Sequence, residues 1–290
     1  LEKDFELFLC WIDGMVAGAD VAENIIRPLT QHSRNHGVKS VKQCLEHILR
    51  GSVYSYSVNL RHSMDELLSD IGRGCCALVF DELECALSFE VRSGFVRAVS
   101  EPTLEKSLKG AKDSFVETLR INTSLVRRRI CSPKLKLLES TVGRKSHTRV
   151  AVMFVDGVAS PETVEELARR LDTIDVDGLT ALGTLEEYIV DAPRSPFPQI
   201  LHTERPDRFA MYLLEGRVGI IVDGIPIGLV VPVSLSEFLK VTSDNSMHHT
   251  VASILAFLRY LAVMLCVFLP ALYVAVAMYH QEMIPTRLLL

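Results

Sequence analysis

The sequence predicts an α/β protein: two similar, duplicated α/β subdomains joined by a helical arm and followed by the start of an α-helical membrane region. Three observations carry this reading. They are an internal repeat at an offset of 142 to 143 residues, a charged segment of helical periodicity between the two copies, and a long uncharged apolar run near the C-terminal end.

The repeat sets the organisation. "WIDGMVAGADVAENIIRPL" from Trp11 resembles "FVDGVASPETVEELARRL" from Phe154, and Asp13 and Asp156 lie 143 positions apart. "GCCALVFDELECALSFEV" from Gly74 parallels "GRVGIIVDGIPIGLVVPV" from Gly216, with Asp81 and Asp223 142 apart. These blocks place subdomains over residues 1–100 and 131–245. Each copy reads as a strand, two helices, a strand or loop, a helix and a β-hairpin. In the second hairpin Asp223-Gly224 is a tight-turn signal; Asp81-Glu82 takes its place in the first. Asp13-Gly14 and Asp156-Gly157 follow strands as well, but no G-x-G-x-x-G or Walker lysine accompanies them, so they are read as turns rather than phosphate loops.

Residues 101–130 form the arm. Glu101-Pro102 breaks structure, and the spacing of Phe115, Leu119 and Val126 predicts one long helix from Lys112 to Ile130. The run Arg127-Arg128-Arg129 reads as a solvated helix end, with Arg128 a candidate interface residue.

The repeat also explains "FPQILHTERPDRFAMYLLEG". Shifted by 142, "SMDELLSDIGRG" from Ser63 falls on Arg205 to Gly216. The first copy carries a capping-box pattern, Ser63 with Glu66. By analogy Pro206 is the first helical residue of the second copy, Asp207 sits in the first turn, and Gly216 ends the helix. Thr203-Glu204-Arg205 then becomes the entry to a helix N-terminus. Glu204, Arg205, Asp207 and Arg208 predict ion pairs, with an arginine bridging a carboxylate bidentately. Glycosidase-like chemistry needs two carboxylates across a cleft, and the sequence gives no sign of one.

From Tyr260 to Tyr279 there are 20 residues without a formal charge. At about 1.5 Å per residue they span roughly 30 Å, the thickness of a hydrocarbon core. The predicted membrane helix covers residues 251–279; Arg259 snorkels or faces a protein interior, and Pro270 kinks it. Residues 280–290 start a second membrane element. The charged N-terminal residues carry no export signal, which places the preceding region in the cytosol. A start without Met and an end in "RLLL" suggest a fragment.

Composition excludes some functions. A net charge of −5 and a pI near 6.0 argue against nucleic acid. Seven irregularly spaced cysteines read as free thiols rather than a disulfide framework. His32 and His36 are four apart, but Gly37 follows, so a fraying helix end is preferred to a metal pair. His248-His249 are expected to point apart on a helix, and "NTS" at Asn122 is read as a chance sequon. No zincin, nucleophile-elbow or zinc-pair motif is present. No enzyme, cofactor or metal is expected.

"ESTVGRKSHTRVAVMFVDGVA", "SPFPQILHTERPDR", "LLEGRVGIIVDGIPIGLVVP" and "LPALYVAVAMYHQEMIPTRLL" together resemble the A-subunit family of bacterial spore germinant receptors, the GerA family. In the arm the family more often shows Gly-Pro-Arg-Glu-Gly-Phe where this chain has Gly110 to Phe115. The resemblance implies a spore inner-membrane protein with a cytosolic N-terminal region that works with a transporter-like B subunit and a lipoprotein C subunit. It further implies a homo-oligomer in the lipid bilayer forming a nutrient-gated ion channel; a related family member acts as an accessory channel. The residues singled out as structural or interface positions are Pro196, Phe197, Pro198, Gln199, Thr203, Glu204, Arg205, Pro206, Asp207, Asp223, Gly224 and Arg128. Arg259, Pro270, Glu282 and Pro285 are singled out for the membrane part. The alternative reading is a small-molecule sensor with its ligand in the cleft between the subdomains.

Overall fold

The computed structural model describes residues 7–32, 40–52, 57–91, 105, 111–179, 181–195, 197–241, 244 and 247–279. They fall into two units, residues 1–106 with 112–232, and residues 107–111 with 233–290. In the first unit the N-terminal repeat opens with β1 (Phe8–Cys10). Helix α1 (Gly18–Val21) then runs through a π-helical stretch into α2 (Arg27–His32). After α3 (Val41–His47) come β2 (Val58–Arg61), α4 (Met64–Gly72), β3 (Cys76–Phe80) and β4 (Cys85–Phe89). The arm contributes α5 (Leu119–Arg129). The second repeat contains β5 (Leu135–Val142), β6 (Thr148–Val155), α6 (Pro161–Asp172), α7 (Leu182–Ile189), β7 (Leu201–Thr203), α8 (Pro206–Leu214), β8 (Val218–Val222) and β9 (Gly228–Val231).

Both sheets are antiparallel. Their orders are β1-β3-β4-β2 and β5-β6-β8-β9-β7, so β6, β8, β9 and β7 repeat the first sheet and β5 is an added edge strand. The registers repeat as well. Cys76 faces Phe89, and 142 positions on Val218 faces Val231; Asn59 faces Ser88, and 142 positions on Leu201 faces Val230. Because a one-residue slip would turn every side chain to the other face, the match means that the duplicated sequence keeps the same inward and outward positions.

All nine residues of β8 and β9 are buried, since helices cover both faces of the second sheet. One face carries Val150, Val152, Val218, Ile220 and Leu229 against Val164, Leu167 and Leu171 of α6 and Leu185 of α7. On the other face Gly219 and Gly228 lie under Phe209 of α8. In the first sheet Leu78, Phe80, Leu87 and Phe89 pack with Val21, Ile25 and Ile48. Its other face sets Ala77 and Ala86 against Leu67 of α4.

Several expectations need correction. The arm helix begins at Leu119, not Lys112, because the backbone of residues 115–116 is captured by tertiary hydrogen bonds described below. Ser63 occupies the N-cap of α4 with no side-chain cap bond, so the capping box does not form; Glu66 instead reaches toward Arg61 at 3.7 Å. Between β8 and β9 the connection runs from Asp223 to Ile227, longer than a two-residue turn, with Gly224 at φ +85°.

In the second unit α9 (Leu235–Leu239) precedes α10 (His249–Tyr279). Helix α10 has 31 residues, includes Pro270, and is the one described helix long and apolar enough to cross a membrane. At about 1.5 Å per residue it is some 46 Å long, more than the roughly 30 Å of a hydrocarbon core. Arg259 donates to Asp244 at 2.7 Å and to the Leu239 carbonyl at 2.5 Å, so it is neutralised within this unit. The rings of His248 and His249 do not point apart: their centroids are 4.3 Å from each other, because His248 precedes the first helical residue.

Candidate functional site at the arm joint

The entry to α8 is where the arm meets the second repeat. Pro206 stands at the first helical position and Arg205 at the N-cap, in extended conformation, so its side chain leaves the helix and turns back into the fold. Arg205 is only 2% exposed and is the largest fully buried side chain among the described residues. Its Nε and Nη2 donate to Oδ1 and Oδ2 of Asp207 at 3.0 and 2.6 Å, a two-pronged fork that uses the planar guanidinium as lysine could not. Nη1 reaches the backbone carbonyl of Glu105 at 3.4 Å.

Glu105 completes the cluster from the arm. Its Oε2 accepts from Thr203 Oγ1 at 2.6 Å, and its Oε1 accepts from Arg208 Nη1. The guanidinium of Arg208 also donates to Tyr212 Oη at 3.2 Å, and Arg208 and Arg217 both lie over the Tyr212 ring, 5.6 and 5.4 Å from its centroid. A third ion pair joins Arg129 to Asp113 at 2.6 Å.

Burial pushes the Asp207 carboxyl up, but hydrogen bonds and charge from Arg205, with the Arg208 N–H and the Arg129 charge, hold it below the ordinary aspartate value. Hydrogen bonding to Asp207 raises Arg205 against the opposing effect of burial.

Beyond the charges the arm is fastened by its backbone. The Phe115 N–H donates to the Glu204 carbonyl at 2.8 Å, and the Gly224 N–H donates to the Glu117 carbonyl at 2.7 Å. Fully buried Asn122 accepts from the Val116 N–H at 2.8 Å and donates to its carbonyl at 2.5 Å, so the apparent sequon is a clamp that keeps residues 115–116 out of the helix. Helix α5 has no side-chain cap of its own at Thr118. Asp223 supplies one from the β8–β9 turn, accepting the Leu119 N–H at 2.9 Å while holding Arg149 at 3.2 Å. Phe115 meets Phe209 edge to face, with centroids 5.4 Å apart. On its other side α5 touches the first repeat: Ser124 Oγ donates to the Gly14 carbonyl at 3.1 Å, and Arg120 pairs with Asp13.

The remaining singled-out residues lie elsewhere. Gln199 organises the loop after α7, accepting from the N–H groups of Asp191 and Ala192 at 3.0 and 3.2 Å and donating to the Ala192 carbonyl. Next to it Arg170 binds Glu166, Asp191 and the Ile189 carbonyl, on the rim of a cavity of about 290 Å³. Phe197 is 65% exposed, Pro198 is exposed, and Arg128 is an exposed residue of the last turn of α5. Pro196, Glu282, Pro285 and His36 fall outside the described residues. Among the described residues no cluster could hold a metal. The residues that sequence reasoning missed are Glu105 and Arg149, which act through partners distant in sequence, and Asn122, which acts through the backbone of Val116 six positions earlier.

Two carboxyls make stability depend on acid. Hydrogen bonds from Arg169 and Arg170 lower Glu166 to about 2, and Asp207 lies below its ordinary value. Their contribution is present above the unfolded values and is lost as pH falls through the folded ones. The expected melting midpoint is therefore flat from about pH 7 to 5 and declines from about pH 4 toward 2. Circular dichroism melts across that range check this, and Glu166→Gln should remove part of the decline.

Comparison with known proteins gives a consistent set of relatives. The family model described as "Bacillus/Clostridium GerA spore germination protein" matches residues 2–290. Spore germination protein B1 of Bacillus subtilis (strain 168) is 35% identical over 280 residues, covering 97% of this chain and 57% of that protein. Spore germination protein KA of the same organism is 34% identical over 283 residues, covering 98% and 51%. The crystal structure of the N-terminal domain of the A subunit of the Bacillus megaterium spore germinant receptor GerK3 matches with a TM-score of 0.60 at 31% identity, covering 79% of this chain and 83% of that one. The chain spans about half the length of the curated relatives it matches.

Proposed function

The chain belongs to the GerA family of spore germination proteins, and from that premise we propose that it is the N-terminal half of a spore germinant receptor A subunit. In this reading the two repeats and the arm are a cytosolic scaffold for assembly and signal transmission. Helix α10 enters the spore inner membrane, where the whole protein forms a nutrient-gated ion channel as a homo-oligomer. A transporter-like B subunit and a lipoprotein C subunit are its partners, and the chain performs no catalysis itself.

The observation that supports a scaffold is the fastening of α5. The arm is held to the second repeat at Glu105, Phe115, Glu117 and Leu119, and to the first repeat at Arg120 and Ser124. Among the described residues the buried charges of the joint, Glu105, Arg205, Asp207 and Arg208, are spent on one another, which suits a structural joint. The test is germination of spores carrying the whole gene with Arg205→Ala or Asp207→Ala. Receptor level in the inner membrane and nutrient-triggered ion release should both fall. Wild-type assembly and germination in both variants would overturn the reading.

A second reading, ligand sensing, rests on the cavity of about 290 Å³ beside α6. Titration calorimetry of amino acids and sugars against the full chain in detergent would give saturable heat if this reading held. Against it, each guanidinium nitrogen of Arg170 already has a protein partner there.

A further inference from the structure

The repeat presents one surface twice, and only one of the two is filled by α5. Asp13-Gly14-Met15 and Asp156-Gly157-Val158 are the same turn, with Gly14 and Gly157 at φ +83° and +79°. In the first repeat α5 sits on it. A methyl group on Gly14 would meet Ser124 Oγ at 2.9 Å and Arg120 Cγ at 3.1 Å, and one on Gly72, at the end of α4, would come within 3.8 Å of Cys131. Met15 is accordingly only 2% exposed. In the second repeat a methyl group on Gly157 would meet nothing within 4 Å. Val158, the counterpart of Met15, is 52% exposed; Leu214, the counterpart of Gly72, is 51% exposed; Asp156 is exposed as well.

We propose that Asp156, Gly157, Val158 and Leu214 form a docking seat for a helix of another polypeptide, one that presents a basic residue and, four positions later, a small residue. The filled seat specifies this chemistry. Arg120 pairs with the carboxylate of the turn, and Ser124 is small enough to lie against the glycine and donate to its carbonyl. The open seat keeps the carboxylate and the bare glycine and replaces Gly72 with Leu214, which adds apolar area at its edge. Outside α5, no described helix of this chain carries a lysine or arginine, the permanently charged partners the seat's carboxylate calls for, followed four positions later by Ser, Ala or Gly. The described helices of a second copy thus offer no match, and the occupant assigned to the seat is a different protein.

The probe is a fluorescein-labelled peptide of residues 118–131 with Cys131→Ser, titrated by anisotropy against the full chain in detergent micelles. The chain's own α5 fills the first seat, so the peptide reports on the second. Saturable binding is expected, weakened about tenfold by Asp156→Lys or Val158→Glu, the order expected when a charge pair or an apolar contact at an interface is reversed. A peptide with Arg120→Glu should bind the Asp156→Lys chain better than the parent chain. Both positions are exposed, and melting curves establish that the variants are folded. Absent binding, or binding indifferent to both substitutions, overturns the proposal. So does self-association of the chain that Val158→Glu abolishes, which would assign the seat to a second copy.

Discussion

Arg205→Ala is expected to lower the stability of the first unit by about 3 kcal/mol, the lower end of the range for breaking a buried ion pair. The lower end applies because the Asp207 side chain is 28% exposed and recovers some solvation, whereas that of Arg205 is 2% exposed. For a unit of this size that is roughly 10 °C in melting midpoint, measurable by circular dichroism of the full chain in detergent. Arg205→Lys keeps the charge but cannot make the fork, so about half the loss should remain. Arg205→Met fills the space and leaves Asp207 unpaired, so it should behave like the alanine variant. Arg205→Met combined with Asp207→Leu removes both charges and should recover most of the loss. If the double variant is as weak as the single ones, the cost lies in packing and the charge argument is wrong. Limited proteolysis of the arm should follow the same order, since Glu105 loses its backbone contact to Arg205 in each single variant.

Gly219→Ala is expected to cost about 3 kcal/mol, at the upper end for overpacking a well-filled core. The added methyl would stand 2.1 Å from Cζ of Phe209 and under 3 Å from both Cε atoms, on a central strand that cannot retreat. Gly228→Ala meets the same ring at 2.7 Å and Phe115 Cε2 at 2.9 Å. The two glycines leave a shallow bed in the sheet that lets the Phe209 ring approach the backbone, with the arm's Phe115 against Gly228 beside it. Phe209→Leu should rescue Gly219→Ala in part, because a smaller side chain vacates the contested space; such coupling between touching residues is the expected departure from additivity. Thermal melts of the two single variants and the double decide this, and strictly additive losses would count against the proposed clash.

The repeat was legible because turns carry identity. The Asp-Gly turn and the helix-ending glycine recur at an offset of 142 to 143 even where strands such as β3 and β8 share no residue. Strand direction and order were not legible: an apolar run such as "GIIV" reads alike in a parallel or an antiparallel sheet. The edge strand β5 escaped attention although Gly143-Arg144-Lys145-Ser146 between two eight-residue runs was a usable hairpin signal. The arm helix was drawn too long because local periodicity cannot register that Asn122 and Glu204 take the backbone groups of residues 115–116. Arg205 was singled out from its neighbours, yet its burial was invisible, since a charged residue at a helix entry is ordinarily solvated. Its partner Glu105 lies 100 positions earlier, beyond the reach of any local pattern.

The cap on α5 has a consequence for how the chain is made. The N–H of Leu119 waits for a carboxylate 104 residues downstream. While the chain is being synthesised the arm emerges first without that anchor, and the Gly14 turn of the first repeat has nothing firm to receive. The anchor arrives with the β8–β9 turn, and His249, the start of the apolar helix, follows Val231 by only 18 residues. Domains complete themselves in order of emergence, so the last act of folding here coincides with synthesis of the apolar helix α10. A translational pause placed after the β8–β9 turn has left the ribosome should therefore favour the finished scaffold over a chain with its arm still loose.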